Sequence, residues 1–477
     1  MNNDFLRLFP GVSPWLPSEF GEQQEENEAL VRDFTNQEMT EPPNPIFLDD
    51  SASSFEKAQA AAASFSDIPA GYTYFGQFVD HDITRDETPL ENAEPIHGGL
   101  TNHRTPTLDL DSVYRGAILD NRFEISNESF PDLPRGIMGK KPEEAAIGDS
   151  RNDENAIVCQ VHLAFLLAHN ELMDRQQSAA HAAFMESRRI LTWLYQHIVL
   201  NDFLPRIVRS DILNLAIRER DRDFLGQAIN FNLARHQIPA EFSKAAYRFG
   251  HSMVRNSYQT NDFGFDGSGF GKFIKLFDSE NPADPDLRGF RTLLAENTIQ
   301  WDWFLTMSSS APGLFPQRAQ TIDTKLADAL TKMHEGGGIN NILASRNILR
   351  GIRTGMPQAS GVASVVNAFL DELSFNGPRA SFNDVQNNIQ FGEMLESLWV
   401  YILAEAEAQG DGKLGVLGST IVSFTFVQLL MNTPNSFLNV QSDWNPGQEA
   451  LLKPEDNQDS GNWSLASIIR LSGLRVS

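Results

Sequence analysis

Within seven residues, Gly76-Gln77-Phe78-Val79-Asp80-His81-Asp82, the chain places an amide, an imidazole and two carboxylates between aromatic and apolar neighbours. An imidazole with a pKa near neutrality takes up and returns a proton at physiological pH. Gln77, four residues before His81, falls one helical turn back and can orient a small polar substrate beside it. Asp80 and Asp82 can bind a cation or be modified. Taken alone, the peptide reads equally well as a solvated turn. Two further clusters point to a shared site: Gly148-Asp149-Ser150-Arg151-Asn152-Asp153-Glu154-Asn155 and Tyr247-Arg248-Phe249-Gly250-His251. A fourth stretch, Thr105-Pro106-Thr107-Leu108-Asp109-Leu110-Asp111, carries oxygen-bearing side chains at every second position. That pattern suits a calcium ion taking six to eight oxygens, or a solvated loop.

The elements that must position these groups are mostly helical. From Asn155 the apolar residues Ile157, Val161, Phe165, Ala168 and Leu172 fall at three- and four-residue steps, which predicts a helix with one buried stripe. A second helix is expected from about Glu186 to Phe203, ended by Pro205. Residues 241–258 carry Phe242, Ala245, Phe249 and Met253 at the same period, so His251 is expected on a helix. Later helices are expected over about 323–334, 358–373, 390–409 and 416–431. Period-two strands are scarce and no internal repeat appears. The expected fold is mainly α, one large helical domain over 71–440 with few short strands, an N-terminal arm (1–70) wrapping the core and a C-terminal tail (441–477) packed on it.

Composition excludes several partners. Lys+Arg 38 against Asp+Glu 63 gives a net charge of −25, which repels nucleic acid and anionic membranes at long range. The longest apolar runs, such as Ile421 to Met431, are broken by Ser423, Thr425 and Gln428, and no transmembrane helix is expected. Met1 to Pro17 has no basic segment followed by an apolar core, so no Sec signal is expected, and the chain is placed in the cytoplasm or exported by a non-classical route. Cys159 is the single cysteine, which rules out an intramolecular disulfide.

With Asn347-Ile348-Leu349-Arg350-Gly351 added, the clusters occur in the order of the distal histidine, distal arginine, proximal histidine and proximal asparagine segments of the animal-type haem peroxidases (the peroxidase–cyclooxygenase superfamily), which this chain resembles from residue 76 to 351. The resemblance implies a peroxidase that uses hydrogen peroxide to oxidise small donors such as iodide, bromide, thiocyanate or phenols through a ferryl intermediate. It implies haem b, with His81 as the base that moves the peroxide proton, Arg151 as the cation that stabilises developing charge and Gln77 as the residue ordering the distal water or halide. His251 would be the axial ligand of the haem iron, Asn347 would accept through its side-chain oxygen from the other ring nitrogen, and Arg248 and Arg350 would lie near the propionates. Val113-Tyr114 follows the 105–111 loop as in the family's calcium site, which implies Thr105, Thr107, Asp109, Asp111 and Asp82 as calcium ligands. Asp80 and Glu154 match the carboxylates that esterify the haem. Asn155 stands where some relatives carry a methionine that adds a sulfonium link. Mammalian members are rich in disulfides, so this chain looks like a bacterial member.

Two other readings share the resemblance. Fatty-acid dioxygenases of this fold carry a radical-forming tyrosine three residues before the proximal histidine. Here that position is Arg248, and Tyr247 lies about 100° away on a helix. A non-catalytic relative would be expected to lose His81, Arg151 or His251, all of which are present. His162 and His169, seven apart, read as core residues, and His97, His103, His181, His197, His236 and His334 as surface or satisfied core residues. The glycine-rich stretch Gly267–Lys272 lacks the flanking residues of a phosphate loop and reads as an ordinary loop.

Overall fold

The computed structural model describes residues 5–42, 51–64, 66–93, 101–126, 130–224, 226–234, 237–262, 271–277, 286–308, 316–331, 333, 341–459 and 462–476. Of the sequence features above, His97, His236, His334 and most of the Gly267–Lys272 stretch lie outside them. About half of the chain is helical. Among the described residues, strands form only three two-stranded pairs: Phe5–Leu6 with Ile238–Pro239, Ile118–Leu119 with Arg122–Phe123, and Ser257–Gln259 with Phe273–Lys275.

The helix Ala156–Asp174 runs through the centre and packs on the helices Gly71–Ile83, Ala180–Ile198 and Leu465–Ser472. It is long and apolar enough to cross a membrane by length and composition, yet 83% of its apolar window is buried inside the protein, as befits a core helix. Asn155 caps it, its side-chain oxygen accepting from the backbone nitrogens of Ile157 and Val158. Gly71–Ile83 buries Phe75, Phe78 and Val79, with Phe78 stacked on Phe165 at 4.7 Å and set edge-on to Tyr195. Gly76 lets the ring of Phe203 approach: an added Cβ would sit 3.0 Å from it. This packing fixes the rotation of the helix, and so decides which way Gln77, Asp80 and His81 point.

Several expected boundaries shift. The second helix starts earlier, at Ala180, and a π turn over Val199–Phe203 follows it. Pro205 does not end the helical path but sits at the start of Leu204–Ile207, where its missing N–H costs nothing. No α-helix covers the described part of 323–334, only a 3-10 turn at Asp328–Thr331. His251 ends a 3-10 segment, Ala246–His251, which follows the short helix Ala240–Lys244. The helices Ala359–Glu372 and Val416–Met431 agree with the periodicity, whereas the helix expected over 390–409 begins later, at Leu398, behind a 3-10 turn over Gly392–Glu396.

Among the helices that had no expectation over them, two bear on the packing described above. Leu343–Arg353, which carries Asn347, packs against the N-terminal helix Gln24–Phe34, and Arg353 donates to Glu28 at 2.6 Å. The buried carboxylate of Glu241 fastens the N-terminal residues by accepting from the backbone nitrogens of Leu8 and Phe9. The second, Leu465–Ser472, lies on the core helix.

Candidate active site

One cavity of about 490 Å³ is lined by Gln77, Asp80, His81, Arg151, Glu154, Arg248 and His251. Three stretches far apart in sequence therefore share one wall system. The volume lies in the range of cofactor-sized sites.

On the distal side, Nδ1 of His81 lies 2.9 Å from Oδ1 of Asn152. Burial first, and then the Arg151 guanidinium, push this imidazole down to about 3, so it is a neutral ring able to accept a proton. Arg151 is held in place by Asp149, which takes its Nε at 3.1 Å and its Nη2 at 2.8 Å, and it donates to the carbonyl of Thr84 at 2.6 Å. Burial alone would raise the carboxyl of Asp149, but the hydrogen bond from Arg151 and the charge of Arg104 hold it far below the usual range. Arg104, buried and 2.8 Å from Asp149, was not singled out in the sequence; no local pattern joins residues 45 positions apart. Gln77 donates to Glu154 and accepts from Nδ2 of Asn155 at 3.1 Å. Asn155 thus serves both as helix cap and as the clamp on Gln77. An Asn directly before an apolar helical run is a legible cap signal; the contact with Gln77 is not. Asp80 accepts from Thr84 Oγ1 at 2.8 Å, and burial raises its carboxyl against the pull of Arg151.

Around His251 the structure departs from the expected arrangement. The amide nitrogen of Asn347, not its oxygen, faces Nδ1 of His251 at 2.8 Å, because the oxygen is taken by Arg248. A guanidinium only donates, so it claims the sole acceptor on the amide. Burial and then Arg248 and Arg346 push His251 down to about 3. Arg350 does not reach the main cavity. It donates to the carbonyl of Thr88 at 2.7 Å and lines an adjoining cavity of about 370 Å³ with Asp86 and Arg248. Arg346, one turn earlier on the same helix, lines both spaces. Tyr247 also lines the main cavity, contrary to the helical projection, because the segment is 3-10 rather than α. Its hydroxyl donates to the carbonyl of Gly76 at 3.2 Å, and its ring stacks on Phe242 at 4.9 Å.

The loop at 105–112 is tied directly to the helix of His81. Asp82 accepts from the backbone nitrogens of Leu110 at 3.2 Å and Ser112 at 3.1 Å. Leu108 and Leu110 are fully buried and both adopt positive φ (49° and 57°), a left-handed conformation that surroundings must enforce in a leucine. Asp82 is raised to about 7 by burial and then by Asp109 nearby, while the enclosed Thr107 side chain lies beside Asp109. Two mutually repelling carboxyls beside a buried hydroxyl are the donor chemistry of a hard cation. Asp111, expected among the ligands, is instead paired with Arg104 at 3.3 Å and with Arg115, whose charges satisfy it. Among the described residues, no three acidic, histidine or cysteine side chains converge closely enough to hold a metal as they stand.

Of the remaining histidines, His162 and His169 are buried in the core. His103 faces Glu87 at the surface at 3.9 Å, His181 is exposed, and His197 packs edge-on to Trp444.

Residues 119–366, just over half of the chain, match the sequence model of the family described as animal haem peroxidase. The chain is 25% identical over 362 residues to the peroxidasin homolog pxn-2 of Caenorhabditis elegans, an alignment covering 72% of this chain and 24% of that protein. The chain spans a quarter or less of the length of the first curated relatives that it matches. Among solved structures, peroxidase A from Dictyostelium discoideum shares the fold, with a TM-score of 0.62 at 13% identity over 97% of this chain and 95% of that one. A fatty acid alpha-dioxygenase from Oryza sativa also shares it, with a TM-score of 0.52 at 13% identity over 87% of this chain and 75% of that one. With more than half of its length matched by the family's own sequence model, the chain belongs to the animal haem peroxidase family.

Proposed function

We propose that this chain is a hydrogen-peroxide-dependent haem peroxidase oxidising small donors such as iodide, bromide, thiocyanate or phenols. The observation that carries the reading is the single cavity bringing together His81, Arg151 and His251 in a member of this family. The cavity's residues fit haem: two neutral histidines, two carboxylates in Asp80 and Glu154, and the guanidinium groups of Arg248 and Arg346 for the propionates. When bound, haem would supply redox-active iron able to store the two oxidising equivalents that hydrogen peroxide brings.

The chain's own part is proton handling and positioning. His251 would hold the haem iron. The His81 lone pair takes a proton from hydrogen peroxide and returns it to the departing oxygen, which leaves as water. Arg151, fixed by Asp149, presents positive charge where negative charge develops, at no cost of reorganisation. Gln77, clamped by Glu154 and Asn155, orders a small polar guest beside His81. Asp80 and Glu154, both lining the cavity, would be the carboxylates that esterify the haem. Calcium held by Asp82, Asp109, Thr105 and Thr107 would brace the His81 helix.

A visible spectrum of the purified protein tests haem binding, and turnover of iodide or bromide with peroxide tests the activity. Absence of a haem band after expression with haem supplied would refute the reading. One observation favours a second reading, a fatty-acid dioxygenase: Tyr247 lines the cavity. Its hydroxyl is engaged by the Gly76 carbonyl, which cannot take its proton. Oxygen uptake with a fatty acid, without halide turnover, would establish that alternative.

A further inference from the structure

Asn152 stands between two buried histidines. Its Oδ1 lies 2.9 Å from Nδ1 of His81, and its Nδ2 lies 3.0 Å from Nδ1 of His162. Asn152 and His162 are wholly enclosed and His81 is 5% exposed, so water does not compete for these contacts. An amide makes such a chain directional. The oxygen only accepts, which requires the proton of His81 on Nδ1. The NH₂ only donates, which requires a bare Nδ1 on His162 and places that ring's proton on Nε2. Among the described residues Nε2 of His162 has no hydrogen-bond partner, so the unsatisfied group sits at the buried end of the chain, away from the cavity. Turning the amide through half a turn would reverse both rings together. His81 would then carry its proton on Nε2 and have no lone pair to offer a substrate.

The amide is held by its backbone. Asn152 belongs to the 3-10 turn Ser150–Asp153, capped by Asp149, whose carbonyl accepts from the Asn152 nitrogen at 3.1 Å. Gly148, just before, is pressed against the loop at Ser112, where an added Cβ would lie 2.4 Å from the carbonyl oxygen. Arg151 and Asn152 are thus set by one turn, the first toward the cavity and the second behind His81.

We propose that Asn152, backed by His162, is a positioning residue that fixes the His81 tautomer with Nε2 unprotonated and free to act as the base. The proposal rests on the peroxidase reading for its consequence, but the tautomer is a property of the polypeptide alone and is measured without haem.

The test is nitrogen-15 NMR of the full-length apoprotein labelled at its ten histidines, with His81→Gln and His162→Gln assigning the two rings. The wild type should show Nδ1–H at His81 and Nε2–H at His162. Asn152→Leu, similar in shape but without the amide, should leave His81 a mixture of tautomers, and the haem-loaded variant should react with hydrogen peroxide about 10- to 100-fold more slowly at unchanged haem content. Asn152→Asp keeps an acceptor for His81 but loses the donor to His162. It should therefore retain Nδ1–H at His81, restore most of the peroxide rate, and switch His162 to Nδ1–H. Nε2–H at His81 in the wild type, or an unchanged His81 tautomer in Asn152→Leu, would overturn the proposal. If Asn152→Leu does not fold, Asn152→Asp decides it: His162 remaining Nε2–H is the overturning result. A wild type with the expected tautomer but no peroxidase activity would defeat the functional reading and leave this one standing.

Discussion

One carboxylate oxygen of Asp82 accepts both the backbone nitrogen and the hydroxyl of Ser112, each at 3.1 Å. Because Asp82 is covalently next to His81, the loop that carries Asp109 is fastened to the residue proposed as the catalytic base, and a disturbance at one reaches the other through a single peptide unit.

Calcium binding should therefore depend on pH with a definite sign. Asp82 in the ion-free protein titrates at about 7, raised by burial and then by Asp109, so calcium must displace a proton below that pH. Affinity should fall as pH drops through 7 and level off above it. Isothermal titration at pH 6 and pH 8 reads this directly, and Asp109→Ala should lower both calcium content and haem occupancy. A fully active protein without calcium would refute the assignment.

The two cavity histidines should fail differently. His251→Ala is expected to lose haem or its histidine-ligated spectrum. His81→Ala should retain haem but react with peroxide roughly two to four powers of ten more slowly. Stopped-flow absorbance separates the two cases.

Covalent attachment is the third expectation. After peroxide treatment the pigment should stay with the polypeptide on acid–organic extraction, and Asp80→Val or Glu154→Gln should release part of it. Complete extraction from the treated native protein would exclude ester links at these positions.

Asn155 ties donor preference to stability. It offers no sulfur to the cofactor, so the iron should be less oxidising, with bromide, iodide and thiocyanate preferred over chloride. Its side chain also accepts two backbone N–H groups at the start of the core helix. Asn155→Met should thus cost about 1 kcal/mol in urea unfolding whatever it does to the chemistry.

Acid should destabilise the fold through its buried histidines. Burial pushes both His162 and His169 down to about 3, whereas in the unfolded chain they titrate near 6.5. Between those values the unfolded state binds more protons, so stability should fall as pH drops below about 6.5, by roughly 1.4 kcal/mol per pH unit for each ring. Urea midpoints at pH 7, 6 and 5 would show the slope, and His169→Gln should flatten it.

Residue type, spacing and the family-like order of the motifs were sufficient to single out His81, Arg151 and His251, which share one cavity, to predict the core helix from the stripe beginning at Ile157, and to indicate a mainly α fold, because helical periodicity and motif order are local properties of the chain. Partner choice was not legible in the same way. That Arg248 takes the oxygen of Asn347 and leaves its nitrogen for His251, that Arg346 rather than Arg350 lines the main cavity, and that Asn152 lies behind His81 each depend on which groups meet from segments far apart in the chain. Hydrogen-bonding groups compete for whatever lies within about 3 Å. Only the packing of the helices, which sets those distances, decides the winner.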